Sequence, residues 1–325
     1  MTYISSSYED NIKSKHIDNT SFEVKGEAML QKVGVIGLGD MGSGLAKNLI
    51  QNGFQTIGLD LSQDRMNAFK EMGGLEASDV AMLAKETDAV FVMVMTGSQA
   101  KNVILGPNGL SENLKTGSTI ILTATITTED ARDIAKGLEG SGIHFIDSPV
   151  SGGFPGAQSG TLTMMAAGSA EALNKAKPVM QAVSKTIHIV GDTPGMGQTV
   201  KAVLQSLIGS IFSATFEATV LAAKAGVNGQ VLFDVVSTSG AGCGVANNAI
   251  TQIIDRKFLG TGSHISTMYK DLTIVLDLAR NLGVPMFTAS VAMQLFQAGK
   301  TKYPEGDNWI VTKVMEDIVK SELHR

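Results

Sequence analysis

From Lys32 onward the apolar positions follow two alternating rhythms. Short runs rich in β-branched residues, KVGVIGLG, QTIGLD, AVFVMVM, STIILTAT and IHFIDSPV, are separated by longer stretches with helical spacing, and TLTMMAAG and KTIHIVG close the series. Runs that are apolar on both faces suit strands covered by helices on either side. The pattern therefore predicts an α/β fold with a mainly parallel, doubly wound sheet whose later strands can run antiparallel. After Gly191 the rhythm changes. GDTPG is a turn-rich break, and no strand pattern follows it. The segment MGQTVKAVLQSLIGSIFSATFEATVLAAKAG has helix period with apolar residues on nearly every face, which predicts a long helix buried between other elements. SHISTMYKDLTIVLDLARNLG, MFTASVAMQLFQAG and DNWIVTKVMEDIVKSEL read as further helices, the last capped by Asp307. The predicted organisation is an extension over 1–30, an α/β domain over 31–193, and an all-α domain over 194–325 entered through the long helix.

Composition narrows the possibilities. A chain of 325 residues with 43% hydrophobic and 18% charged content has material for two globular cores. Its net charge of −5 lacks the basic footprint of a nucleic-acid-binding surface. The single cysteine, Cys243, excludes an internal disulfide framework, fits a reducing compartment, and reads as a packed thiol. The first thirty residues mix both charge signs with Ser and Asn and hold no apolar core of a signal peptide, and Met29 is a candidate translation start. A cytoplasmic protein with no nucleic-acid or membrane partner is expected.

The first chemical motif is GLGDMG, Gly37–Leu38–Gly39–Asp40–Met41–Gly42, placed between a strand and a helix. In that setting Gly37 allows a tight turn, Gly39 lets a pyrophosphate approach the backbone, and Gly42 permits close helix–strand packing. The helix start supplies unpaired N–H groups. Asp60, about twenty residues further on, ends the second strand, where a carboxylate bonds an adenosine ribose and repels a 2′-phosphate. This favours NAD over NADP, with Arg65 five residues later keeping NADP open. A second motif, DSPVSGG, puts Ser151, Gly152 and Gly153 after a strand. It reads either as a backbone nest for a carboxylate or as an ordinary strand exit. The third feature is Lys201 inside the long apolar helix. Either its stem packs and its head reaches water, or it is a buried amine with a lowered pKa.

VGVIGLGDMGSGLAKNL, DSPVSGG, GTLTMMAAG, GMGQTVKAVLQ and MYKDLTIVLDLARNLGVP occur in this order, and the chain thereby resembles the β-hydroxyacid dehydrogenases from Lys32 onward. The resemblance implies a Rossmann-type domain, an interdomain helix and a helical domain that takes part in a homodimer or homotetramer. It implies that Lys201 is the catalytic lysine and that Ser151, Gly152 and Gly153 hold the substrate carboxylate. Lys270 would lie near nicotinamide and substrate, and Met95, Thr96 and Thr125 would touch the cofactor. The chain departs from the family pattern at Leu204 and Gln205, where an asparagine pair is usual, at Ala124, and at Ser263, where many members have phenylalanine. Gln205 and Ser263 are more similar to the L-threonate dehydrogenase branch, although that branch's usual Trp after TSGAG is missing.

The activity so implied is oxidation of a small hydroxy acid, with Lys201 exchanging the hydroxyl proton and Gln205 bonding a substrate oxygen from the same helix face. Tartronate semialdehyde reductase and 3-hydroxyisobutyrate dehydrogenase are the alternatives within the family. Imine reduction and a non-enzymatic NAD-binding module are disfavoured by the retained lysine. His144, His188 and His264 show no metal spacing and no metal is expected. Asp271 reads as a salt-bridge partner or helix cap, and Trp309 as core or subunit interface.

Overall fold

A computed structural model describes residues 32–325; the 1–30 extension and the Met29 start lie outside the described residues. The α/β half runs β1 (Lys32–Ile36), α1 (Asp40–Gln51), β2 (Gln55–Leu59), α2 (Gln63–Glu71), β3 (Leu75–Glu76) and α3 (Val80–Glu86). It continues through β4 (Ala89–Val92), α4 (Gly97–Leu105), α5 (Leu110–Asn113), β5 (Thr119–Leu122), α6 (Thr128–Gly137) and β6 (His144–Asp147). β7 (Val150–Ser151), α7 (Gly153–Ser159), β8 (Leu162–Ala167), α8 (Ala170–Val183) and β9 (Ser184–Gly191) complete it.

The first six strands lie in the order β3-β2-β1-β4-β5-β6 and are all parallel. β8 then pairs antiparallel with β6 and β7, and parallel with β9. Strand periodicity divides the core. Ala89 and Phe91 of β4 and Ile121 of β5 face one helix layer, with Leu45, Leu49 and Val179. Val90 and Val92, with Ile120 and Leu122, face the other, against Leu83, Ile104 and Ile134. Both faces of these strands are dry, which is why their runs are apolar throughout. The reversal of strand order at β1/β4 leaves a crevice at the strands' carboxyl ends, where ligands of such sheets bind.

The helical half is built on α9 (Met196–Lys224), followed by α10 (Gly229–Thr238), α11 (Gly244–Ile254), α12 (Ile265–Leu282), α13 (Phe287–Lys302) and α14 (Val311–Val319). α9 has 29 residues and is apolar enough to cross a membrane by length and composition. Here it packs against α11, α12, α13 and α14. Phe212 and Phe216 of α9 stack at 5.8 Å, and Trp309 meets Phe212 edge-on at 5.8 Å. Trp309 is buried, so of its two readings the core is correct.

Three expectations need correction. α9 is not enclosed on all sides, because Val203, Leu207 and Leu221 are exposed and leave one face open. Asp307 does not cap the last helix. It precedes a 3₁₀ turn, Asn308–Ile310, and its buried carboxylate instead accepts the Thr261 N–H at 2.7 Å. Cys243 is half-buried at the N-cap of α11 rather than packed away.

Candidate active site

The glycine-rich turn is shaped for close approach. Gly37 has φ +91°, and a Cβ there would fall 2.3 Å from the Met93 carbonyl. A Cβ on Gly42 would fall 1.7 Å from the Gly37 carbonyl, so the first turn of α1 lies directly on β1. α1 begins at Asp40 with no side chain capping it, and Leu38 and Met41 complete the turn. A dinucleotide fits these residues: the cradle is one that any side chain would fill, and the first-turn N–H groups of α1 have no side-chain acceptor. Asp60 stands at the end of β2, its Oδ2 accepting the Leu38 N–H at 2.7 Å and its Oδ1 the Ser62 N–H at 2.8 Å. Arg65 lies 3.5 Å from the same Oδ2. Met95 and Thr96 follow β4 on the same rim. Thr96 caps α4, its hydroxyl accepting the Gln99 N–H while the Gln99 side chain accepts from Met95 N and Thr96 N.

The lysine of α9 is buried, with 7% of its surface exposed. Its Nζ donates to Gln205 Oε1 at 3.1 Å, one helical turn away. Gln205 in turn donates from Nε2 to Asp271 Oδ2 at 2.6 Å. Lys270 Nζ lies 3.1 Å from the other Asp271 oxygen and donates to the Thr125 carbonyl at 2.7 Å. A line of hydrogen bonds with one ion pair, Asp271–Lys270, thus runs from Lys201 through Gln205, Asp271 and Lys270 to Thr125, crossing from the helical half to the loop after β5. Burial pushes the Lys201 amine down to about 8; the Asp271 carboxylate opposes this and the Lys270 ammonium adds to it. An amine that titrates near neutrality can both take and return a proton, which a solvated lysine near its usual 10.5 does poorly.

The Ser151–Gly153 turn sits at the sheet edge. Gly152 (φ +128°) and Gly153 (φ +59°) hold conformations that side chains resist, and no side chain caps α7. Two anchors keep this turn beside α9. Asp147 is fully buried and accepts the Gly195 N–H at 2.9 Å, the Gln198 N–H at 3.2 Å and Gln198 Nε2 at 2.8 Å. Gln198 also accepts the Ile126 N–H and donates to the Ala124 carbonyl, tying the first turn of α9 to the loop that holds Thr125. Burial raises the Asp147 carboxyl to about 6 against these bonds. Gly197 completes the fit, since a Cβ there would fall 2.6 Å from the Asp147 carbonyl and 2.7 Å from that of Met165.

Lys201, Gln205, Lys270 and Thr125 share one line of hydrogen bonds closed by the Asp271–Lys270 ion pair. Ser151, Gly152 and Gly153 join it only through Asp147 and the start of α9. Leu204 is half-buried and Ser263 bonds Asn308, its Oγ accepting from Nδ2 at 2.9 Å. Asp271, Asp147 and Gln198 are the residues that sequence reasoning missed as parts of the site. Among the described residues no group of three or more His, Cys, Asp or Glu side chains could hold a metal ion.

Residues 32–191 match the NAD binding domain of 6-phosphogluconate dehydrogenase. Residues 195–315 match the NAD-binding domain of NADP-dependent 3-hydroxyisobutyrate dehydrogenase. L-threonate dehydrogenase of Escherichia coli (strain K12) is 35% identical over 88% of this chain and 95% of its own length. The chain belongs to the β-hydroxyacid dehydrogenase family. A probable mitochondrial 3-hydroxyisobutyrate dehydrogenase of Dictyostelium discoideum is 35% identical over 81% of this chain and 84% of its own. The crystal structure of a 3-hydroxyisobutyrate dehydrogenase from Salmonella typhimurium superimposes with a TM-score of 0.81, at 33% identity, over 87% of this chain and 99% of that one. As a β-hydroxyacid dehydrogenase the chain is an oxidoreductase with a nicotinamide-dinucleotide-binding domain. Its Rossmann-type sheet followed by an all-helical domain is the architecture shared with the 3-hydroxyisobutyrate dehydrogenase structure.

Proposed function

We propose that the protein oxidises a small polyhydroxylated acid of the L-threonate type, using NAD, with Lys201 as general base. The observation that carries this reading is the buried Lys201 amine, lowered to about 8 and held by Gln205 on the face of α9 that looks toward the end of β5. The dinucleotide would be held by the backbone of Gly37, Leu38, Gly39, Asp40, Met41 and Gly42, with Asp60 at the ribose and Met95, Thr96, Thr125 and Lys270 along the rim. When bound, its nicotinamide supplies the hydride acceptor.

The chain's own groups manage the proton and the acid group. Neutral Lys201 accepts the substrate hydroxyl proton as the carbon is oxidised, and in the reverse direction protonated Lys201 donates to the carbonyl oxygen. Positioned proton transfer of this kind is worth about 10²–10⁴-fold. The Ser151–Gly153 backbone receives the carboxylate, and Lys270 adds positive potential from the opposite wall. Gln205 presents an amide where many relatives have asparagine, and Ser263 a hydroxyl where many have phenylalanine, which supports a substrate with several hydroxyls. The 35% identity with an L-threonate dehydrogenase supports the same class.

The dinucleotide-binding domain is taken as 31–193 and the helical domain as 194–325. The exposed apolar face of α9 supports a homodimer or homotetramer, and a cytoplasmic location follows from the single cysteine and the acidic balance. The test is a panel of hydroxy acids assayed for NADH formation with NAD and with NADP. Four-carbon polyhydroxy acids with NAD should give the highest kcat/KM. Preference for 3-hydroxyisobutyrate, or for glycerate, the reduced form of tartronate semialdehyde, would move the protein to another branch, and absence of turnover with every acid would end the enzymatic reading.

A further inference from the structure

The loop that enters α12 reaches across to the glycine-rich turn. His264 Nε2 donates to Asp40 Oδ2 at 3.0 Å, a side-chain bond between residues 224 apart in sequence. On the other side of the ring, Nδ1 lies 3.8 Å from the buried Oδ1 of Asp307, which has no other partner, and the two backbones pair in an antiparallel bridge. Asp307 also holds Thr261, so the imidazole projects from a braced loop. That loop is seated on the α/β half, where a Cβ on Gly262 would fall 2.7 Å from Phe154 Cβ. The groups facing His264 are thus the carboxylates of Asp40 and Asp307, one from each half.

Asp40 is the first residue of α1, so its negative charge occupies the positive helix end where a dinucleotide's diphosphate is bound. A carboxylate there competes with the diphosphate for the helix dipole, and among the described residues the only side chain bonded to it comes from the opposite half. We propose that His264 is a positioning residue for the dinucleotide: its imidazole exchanges the Asp40 carboxylate for the cofactor's diphosphate and thereby clasps the bound cofactor from the helical half. Asp40 acts as a place-holder that the diphosphate displaces. His264 would bond the diphosphate, away from the reacting carbon, so it governs how long the cofactor stays and not the proton transfer at Lys201.

The test is NADH binding, followed by its fluorescence enhancement with the full-length protein in the absence of acid substrate. His264→Ala should weaken NADH binding about 5-fold, the amount by which a charge-assisted bond to the more highly charged diphosphate exceeds the Asp40 bond given up for it. His264→Gln, which keeps a donor near the Nε2 position, should recover most of the loss. Asp40→Ala removes the competing charge and should bind NADH at least as tightly as the parent. In steady state the His264→Ala loss should appear in KM for NAD with kcat held or raised. The proposal is overturned if His264→Ala and His264→Gln both bind NADH within two-fold of the parent. It is equally overturned if Asp40→Ala weakens binding as His264→Ala does, because the pair would then be a structural tie alone.

Discussion

The role of Asp271 gives the sharpest test of the proton-transfer reading. Its carboxylate is two hydrogen bonds from the Lys201 amine, through the Gln205 amide at 2.6 and 3.1 Å, and it raises the amine's pKa against burial. An opposite charge at such range is worth about 1–3 pH units. Lys270, 3.1 Å from the same carboxyl, stays in place when that charge is removed, so the variant loses the whole of the Asp271 effect, at least about one unit or about tenfold in the protonation equilibrium. Asp271→Asn keeps an oxygen for Gln205 Nε2 while removing the charge, so the geometry is conserved and the electrostatics are not. In the oxidation direction kcat/KM should rise with pH through about 8 in the parent. In Asp271→Asn the rise should come about one unit lower. In the reduction direction the activity, which needs protonated Lys201, should fall at correspondingly lower pH. The assay is the pH dependence of kcat/KM from pH 6 to 10 in both directions at saturating cofactor. A limb that stays in place, or moves upward, would refute the idea that Asp271 tunes this amine.

Other outcomes follow from the same geometry. Lys201→Met should lower kcat by about 10²–10⁴-fold with NADH binding unchanged by fluorescence. It should also flatten the pH dependence of stability. With the folded-state pKa near 8 and the free value 10.5, the parent carries a penalty below pH 8 that is relieved as pH rises toward 10.5. The parent should therefore gain on the variant by about 3 kcal/mol between pH 7 and 10.5 in urea unfolding, and parallel curves would contradict the burial argument. Gly197→Ala places a methyl against two backbone carbonyls that cannot yield, so a loss of about 1–3 kcal/mol in thermal stability is expected together with reduced turnover. Asp60→Ser, which leaves Arg65 without its carboxylate partner, should move the NAD-to-NADP ratio of kcat/KM toward NADP by at least about tenfold; an unchanged ratio would show that Asp60 does not select the cofactor.

Much of this architecture was legible because the dry strands of the sheet advertise themselves. Both faces of β4 and β5 are packed, so AVFV and TIIL are apolar apart from Thr119 at the start of β5. Two-residue strands such as β3 and β7 carry no periodicity and escaped notice. α10 and α11 did too: the first exposes Val231 and Val235, so its apolar residues do not mark a buried stripe. Open faces on α9 arise in the same way, since apolarity all round was read as burial all round. The glycine turn, Asp60 and Lys201 were legible through local spacing. The carboxylates that α9 meets were not, because Gln205 meets Asp271 across 66 residues and Gln198 meets Asp147 across 51, and nothing local distinguishes those carboxylates from solvated ones.

α9 begins on a carboxylate of the sheet domain and runs on through the middle of the helical one. The Lys201 side chain therefore travels with the helical half, while the glycine turn, Asp60 and the Ser151–Gly153 turn stay behind on the other side of Asp192–Pro194. Recombination at that seam would carry Lys201, Gln205 and Lys270 as one inherited block onto an unaltered sheet, provided the incoming helix kept a glycine and a glutamine to dock on Asp147.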